Sequence, residues 1–228
     1  MPGGRFVVID ATLSEVVSIT LLSLRVSATA VALSSAFGLP LGAFIASKEF
    51  RGKHVTVTVI NTLMGTPPVL LGLLLYLLLS RQGPLGWTGL LFTPEAMIVA
   101  QFLLTLPITT GLTITAVESL PRDLRELVRS LRASALYEAL LLLNESRVNL
   151  LGAVLAALGR AISEVGAVII VGGNIRYQTR VLTTAIVYYT NAGEFDTAIA
   201  LGAVLALVYL AVNTAVIILK LRVGKSAA

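Results

Sequence analysis

Five long apolar runs, with the charged residues gathered almost entirely between them, are the feature that most restricts this chain. Each run can cross the roughly 30 Å hydrocarbon core of a bilayer, which takes about 20 helical residues. Inside lipid no water bonds the backbone, so a spanning run must satisfy its own N–H and C=O groups and is therefore helical. Composition agrees: 13% of the 228 residues are charged and mean hydropathy is +0.91, against about 25% charged in an average soluble domain. A water-soluble globular fold is excluded. The fold class is all-α integral membrane, one domain over residues 1–228 with about five transmembrane helices, multi-pass in the cell membrane.

The first span runs from about Ile19 to Ala46, preceded by an interfacial segment, Phe6–Ser18, that carries Asp10 and Glu15. Gly38 and Gly42 near its end have the GxxxG spacing that lets helices approach closely. The second span, about Val55–Leu79, is interrupted at Pro67 and Pro68, where a missing N–H and a ring clash kink or break a helix. Freed carbonyls survive at membrane depth only against protein or a cavity, so Gly65-Thr66-Pro67-Pro68 faces one of these. The third span covers about Ala96–Ala116. Val117–Arg147 is the most charged stretch and the main soluble excursion. The fourth span, about Val148–Val171, carries Arg160 and Glu164; a polar loop, Gly172–Gly193, leads to the last span, about Phe195–Leu219.

Basic residues set orientation, because Lys and Arg concentrate on the cytoplasmic side. Lys48, Arg51, Lys53, Arg122, Arg125, Arg129, Arg132, Arg147, Lys220, Arg222 and Lys225 fall on one side of the five spans. Only Arg5, Arg81, Arg176 and Arg180 fall on the other. The charged excursion is therefore cytoplasmic, with the N-terminus outside and the C-terminus inside. The net charge of +5 reports this asymmetry and not a nucleic-acid partner.

Catalytic groups are scarce. There is no cysteine, and the single histidine, His54, sits in a basic turn; no HExxH or GxSxG motif occurs. Without a GxxxxGK[ST] loop the chain has no cradle for nucleotide phosphates, so any ATP energy comes from a partner. The chain is not expected to be an enzyme or to bind a metal or cofactor of its own.

The excursion has the pattern of a docking element. Leu124, Leu127, Val128 and Leu131 share one helical face at i, i+3, i+4 and i+7, with Arg122, Arg125, Glu126 and Arg129 on the others. Pro121 suits a first turn and Asp123 a positive helix end. A short amphipathic helix, a turn at Ala133-Ser134-Ala135, and a second helix running to Asn144 are expected. Arg160 and Glu164, four residues apart on an expected single helix face, are close enough to pair, and a membrane interior penalises either alone.

The stretch Glu126-Leu127-Val128-Arg129-Ser130-Leu131-Arg132-Ala133-Ser134 resembles the Glu-Ala-Ala loop of permease subunits of ATP-binding-cassette importers. Glu126 falls on that motif's glutamate and Arg132 on its glycine, while Leu127 and Val128 replace the alanines. Gly159-Arg160-Ala161-Ile162-Ser163-Glu164-Val165-Gly166-Ala167, with Gly172-Gly173-Asn174-Ile175, is similar to the signature of the molybdate, tungstate and sulfate branch. Met64-Gly65-Thr66-Pro67-Pro68-Val69 and Ser80-Arg81-Gln82-Gly83-Pro84-Leu85-Gly86 look most like tungstate permeases.

The resemblance implies a second copy of the chain, two cytoplasmic ATPase subunits carrying ATP and Mg, and an extracellular or periplasmic solute-binding protein delivering an oxyanion. It implies a coupling loop at about 117–147 comprising Leu124, Glu126, Leu127, Val128, Arg129, Leu131, Arg132, Ala133 and Ser134. The translocation path or gate takes Thr62, Thr66, Arg160, Ser163, Glu164, Gly173 and Asn174, whose hydroxyls, amide and charges lie at broken or terminal helix segments. Arg176 and Arg180 stand at the outer mouth, to compensate a dianion or to dock the binding protein. Molybdate or sulfate import, an ion-coupled carrier using Arg160 and Glu164, and a membrane scaffold are the alternatives.

Overall fold

A computed structural model describes residues 5–130 and 134–225. Among these the regular structure is helical: α1 (Arg5–Ser47), α2 (Lys53–Met64), α3 (Pro68–Leu79), a 3-10 turn (Gly86–Thr88), α4 (Pro94–Glu118), α5 (Arg122–Ser130), α6 (Ala135–Glu145), α7 (Arg147–Ile162), α8 (Gly166–Gly172), α9 (Leu182–Asn191) and α10 (Phe195–Lys225). Among the described residues three helices are long and apolar enough to cross a bilayer, over Leu13–Ser47, Pro94–Glu118 and Phe195–Arg222. Two interrupted pairs, α2 with α3 and α6 with α7, bring the candidate spans to as many as five. The chain is a multi-pass membrane protein.

The interruption of the second span falls at the prolines. Pro68 opens α3 at a first-turn position, where its missing N–H costs nothing. Gly65 closes α2, its N–H donating to the Thr62 carbonyl at 3.1 Å.

Three expectations need correction. Phe6–Ser18 is no separate interfacial segment: α1 is one helix from Arg5 to Ser47, because Glu15, the charge that suggested a boundary, is buried and paired. The fourth span is not one helix: it stops at Ile162 and restarts at Gly166, with Glu164 in the break. At 16 residues, α7 covers only about 24 Å; it follows α6 through an 84° bend. Finally, Gly172–Gly193 is not all loop, since α9 lies within it. Its threonines read as solvent-facing polarity, yet Thr183 and Thr184 are buried with hydroxyls bonded to carbonyls, Thr183 to Glu164 and Thr184 to Val181.

The helices gather into two compact units. The first takes α1 as far as Thr29, Pro68–Gln101 and Ile162–Leu210. Its apolar core joins Ile19, Leu182, Ala185 and Leu201, with Val16, Ile186 and Val204 packed around them. There α3 and α8 meet through small residues: a Cβ on Gly72 would lie 2.8 Å from Ala167 Cα, and one on Gly166 2.7 Å from Val69 Cγ2.

The second unit takes Ala30–Pro67, the described part of Phe102–Ala161, and α10 from Ala211. Here the GxxxG pair of α1 lies against α4. A Cβ on Gly42 would come within 2.6 Å of the Thr110 carbonyl oxygen, and one on Gly38 would collide with Thr109 Oγ1. Thr109 donates to the Ser34 carbonyl at 2.9 Å. Small residues and interhelical hydroxyl bonds are what membrane helices use where lipid offers no hydrophobic drive to associate.

Candidate functional site

The expected coupling loop folds as α5 and α6 of the second unit. Pro121 has no N–H to donate and precedes α5, whose first turn carries Asp123. Arg122 Nε donates to Glu126 Oε1 at 2.9 Å, an exposed pair of little energetic weight. Ser134 caps α6, its hydroxyl accepting from the Tyr137 N–H at 3.3 Å. The apolar face read from spacing divides. Val128 is 6% exposed and joins a core of Ala43, Ile45, Ala46, Ile114, Val117, Ala139 and Leu142, whereas Leu127 is 60% exposed and Leu124 half-buried. On α6, Tyr137 and Leu140 are exposed as well, three residues apart and so on one face. Arg129 lies in α5; Leu131, Arg132 and Ala133 lie outside the described residues.

Ion pairs tie this excursion to its base. Lys48 Nζ reaches Glu138 Oε2 at 2.6 Å, and the Glu138 side chain is only 7% exposed. Lys53 pairs with Glu118 at 3.4 Å and Glu49 at 3.2 Å, and donates to the Ala46 carbonyl. In the sequence Lys48 and Lys53 are legible only as orientation markers. The missed signal was Glu138, an acid beside Ala139 and four residues before Leu142, both buried.

The expected path residues divide between the units. Thr62, Thr66 and Arg160 belong to the second, where Thr62 is exposed and its hydroxyl donates back to the Thr58 carbonyl at 2.8 Å. Ser163, Glu164, Gly173 and Asn174 belong to the first. Arg160 and Glu164 do not share one continuous helix, since α7 ends at Ile162. Glu164 is buried, and its Oε1 accepts the Ala167 N–H at 3.0 Å at the start of α8. A side chain that offers the backbone a bond outside the helical ladder favours a break at its own position. Ser23, Ser27, Glu164 and Thr183 line a small cavity of about 10 Å³, room for about one water. Ser163 beside it is exposed.

Gly173 (φ 72°) and Asn174 (φ 51°) end α8 in left-handed conformation. Glycine is needed at 173 twice over, since a Cβ there would also stand 2.7 Å from Phe92 Cδ1. Phe92 N–H donates to the Val171 carbonyl at 2.8 Å, and the Thr179 hydroxyl to that of Gly172.

A further cluster in the first unit escaped the sequence reading as a cluster. Glu15, 6% exposed, is gripped by Arg176 from two sides: Nε to Oε1 at 3.0 Å and Nη2 to Oε2 at 2.6 Å. Arg180 Nη1 lies 3.6 Å from Oε1, and the Tyr189 hydroxyl donates to the same oxygen at 3.4 Å. The Arg180 guanidinium sits 4.2 Å from the Tyr188 ring centroid, a cation-π contact. The Glu15 carboxylate raises the Arg176 pKa further, keeping it charged, while burial pushes the Tyr189 phenol up. These side chains, with Glu194 and Thr197, line a cleft of about 330 Å³. Arg176 was visible in sequence as an outer-loop charge; its partner 161 residues away was not.

Residues 38–227 match the family described as binding-protein-dependent transport system inner membrane component. A probable anion ABC transporter permease protein of Haloferax volcanii is 49% identical over 209 residues, 90% of each chain. The tungstate uptake system permease protein TupB of Peptoclostridium acidaminophilum is 42% identical, covering 89% of each chain. That of Campylobacter jejuni is 43% identical over 72% of this chain and 69% of its own.

Proposed function

The chain belongs to the binding-protein-dependent transport system inner membrane component family, and on that premise we propose that it is the permease subunit of an ATP-driven tungstate importer. The observation that carries the substrate is the 42% identity, across 89% of both chains, with a permease of a tungstate uptake system. The permease works as a pair of copies, with two ATPase subunits on the cytoplasmic face and a solute-binding protein on the other. Hydrolysis falls to the partners, because the sequence holds no phosphate-binding loop. The ATPase docks on α5 and α6, where Leu127, Tyr137 and Leu140 leave apolar surface uncovered and the Lys48–Glu138 pair hands displacement of the loop to the end of α1. The excess of basic residues around α5 and at the C-terminus supports a cytoplasmic position for that face and an outside N-terminus.

Transport is tested with the whole transporter in vesicles, supplied with its binding protein and with ATP, comparing tungstate, molybdate, sulfate and an amino acid. The expected order is tungstate, then molybdate, then sulfate. Uptake of the amino acid with no oxyanion uptake defeats the assignment.

A further inference from the structure

We propose that Arg176, Arg180 and Tyr189 form a receptor for a tetrahedral oxyanion, and that the Glu15 carboxylate occupies it as a displaceable internal stand-in. The inference rests on the oxyanion reading of the transporter and adds to it a place on this chain where the anion binds.

Geometry and charge both point to this. The Arg176 fork bonds the two Glu15 oxygens separately, the bidentate arrangement by which guanidinium reads planar or tetrahedral oxyanions. One carboxylate brings a single negative charge to two guanidinium charges. It also leaves the second arginine poorly served: Arg180 is 8% exposed, its Nη1 is 3.6 Å from Glu15, and its Nε is buried with no hydrogen-bond partner among the described residues. A buried donor left unbonded is costly. An oxyanion dianion supplies the missing charge and further acceptor oxygens, and the cleft of about 330 Å³ in front of these groups gives it room. Glu194, the other acid of the cleft wall, is exposed, so solvent and salt screen its charge.

Glu15 then has two roles. With the cleft free of substrate it compensates the buried Arg180 and the exposed Arg176 beside it, so that Arg180 is not left buried without a counter-charge. With substrate bound it is displaced, and its return repels the dianion, so the site binds without trapping. Docking of a protein partner fits worse, because Arg180 is too deeply buried to reach across a protein–protein interface.

The test uses the permease–ATPase complex in lipid nanodiscs, with no binding protein, and measures equilibrium binding of tungstate itself. The wild type should bind weakly. Glu15→Gln, which keeps shape but removes the competing charge, should tighten binding on the order of tenfold or more. Glu15→Asp keeps the charge on a shorter arm, holds Arg176 less well, and should tighten it less. Arg176→Gln with Arg180→Gln should abolish binding. Unchanged or weaker tungstate binding in a folded Glu15→Gln complex, with Glu15→Asp equal to wild type, overturns the proposal and leaves a structural clamp. So does retained tungstate binding in the double arginine variant. Because these are binding measurements without uptake, they fail separately from the substrate assignment, which falls only if the complete transporter carries no oxyanion.

Discussion

Leu127 and Val128 are neighbours in sequence with opposite surroundings, and truncating each to alanine should separate docking from folding. Leu127 is 60% exposed, Val128 6%. Burying a whole leucine side chain contributes roughly 1.5–3 kcal/mol; the exposed three-fifths that a partner can still cover is worth about 1–2 kcal/mol, or about 5- to 30-fold in affinity. Leu127→Ala should therefore weaken ATPase docking by that factor and leave the thermal stability of the permease unchanged. Val128→Ala instead removes two buried methyl groups from the core shared by α1, α4, α5 and α6, at a cost to folding of about 2 kcal/mol. The assay titrates ATPase subunits onto permease in nanodiscs, reads stimulated hydrolysis, and follows unfolding of the permease alone in parallel. A Leu127→Ala permease that titrates like wild type, at unchanged stability, refutes the docking surface.

The close approach of α1 to α4 predicts that Gly42→Ala destabilises the protein by about 1–3 kcal/mol, since the added methyl meets a backbone carbonyl that cannot swing away. Gly65→Ala, whose Cβ would have only a 3.5 Å neighbour, is the control, and equal unfolding curves for the two count against the packing argument. Lys48→Met should strand the buried Glu138 carboxylate and cost about 1–2 kcal/mol, discounted because the Lys48 side chain is 37% exposed. Adding Glu138→Gln should recover part of that loss, and a double variant as unstable as the sum of the singles means the pair is not coupled. The chain has no cysteine, so single cysteines placed at Ser80 and Ser134 can be labelled cleanly in intact cells. Ser80 should label from outside and Ser134 only after the membrane is opened; labelling of Ser134 from outside reverses the topology.

Sequence alone determined the features whose causes are local. Lipid leaves a long apolar run no choice but helix, so α4 and α10 begin within two residues of their expected starts and run on past their expected ends. Pro68 forces the break after Met64 wherever the neighbours sit. The period of leucines and arginines after Pro121 specifies a short helix that cannot be buried all round, and Gly38 and Gly42 mark where another helix can come close.

Tertiary structure decided what depended on distant partners. Glu15 looked like a boundary charge and is a buried ligand of Arg176, because two charges far apart in the chain cancel only after folding brings them together. The stretch around Thr183 is helical and buried, and the Thr183 hydroxyl finds the Glu164 carbonyl of another segment, which no local pattern encodes. Arg160 and Glu164 have helical spacing, yet α7 ends at Ile162 between them and the Glu164 carboxylate accepts the Ala167 N–H at the start of α8. Likewise the leucine-and-valine face of α5 is one stripe in sequence, but only the packing of α1, α4 and α6 against it determines that Val128 is covered and Leu127 left free. Hydrophobic periodicity says which residues prefer to leave water; which of them do so is set by the area that neighbouring helices can cover.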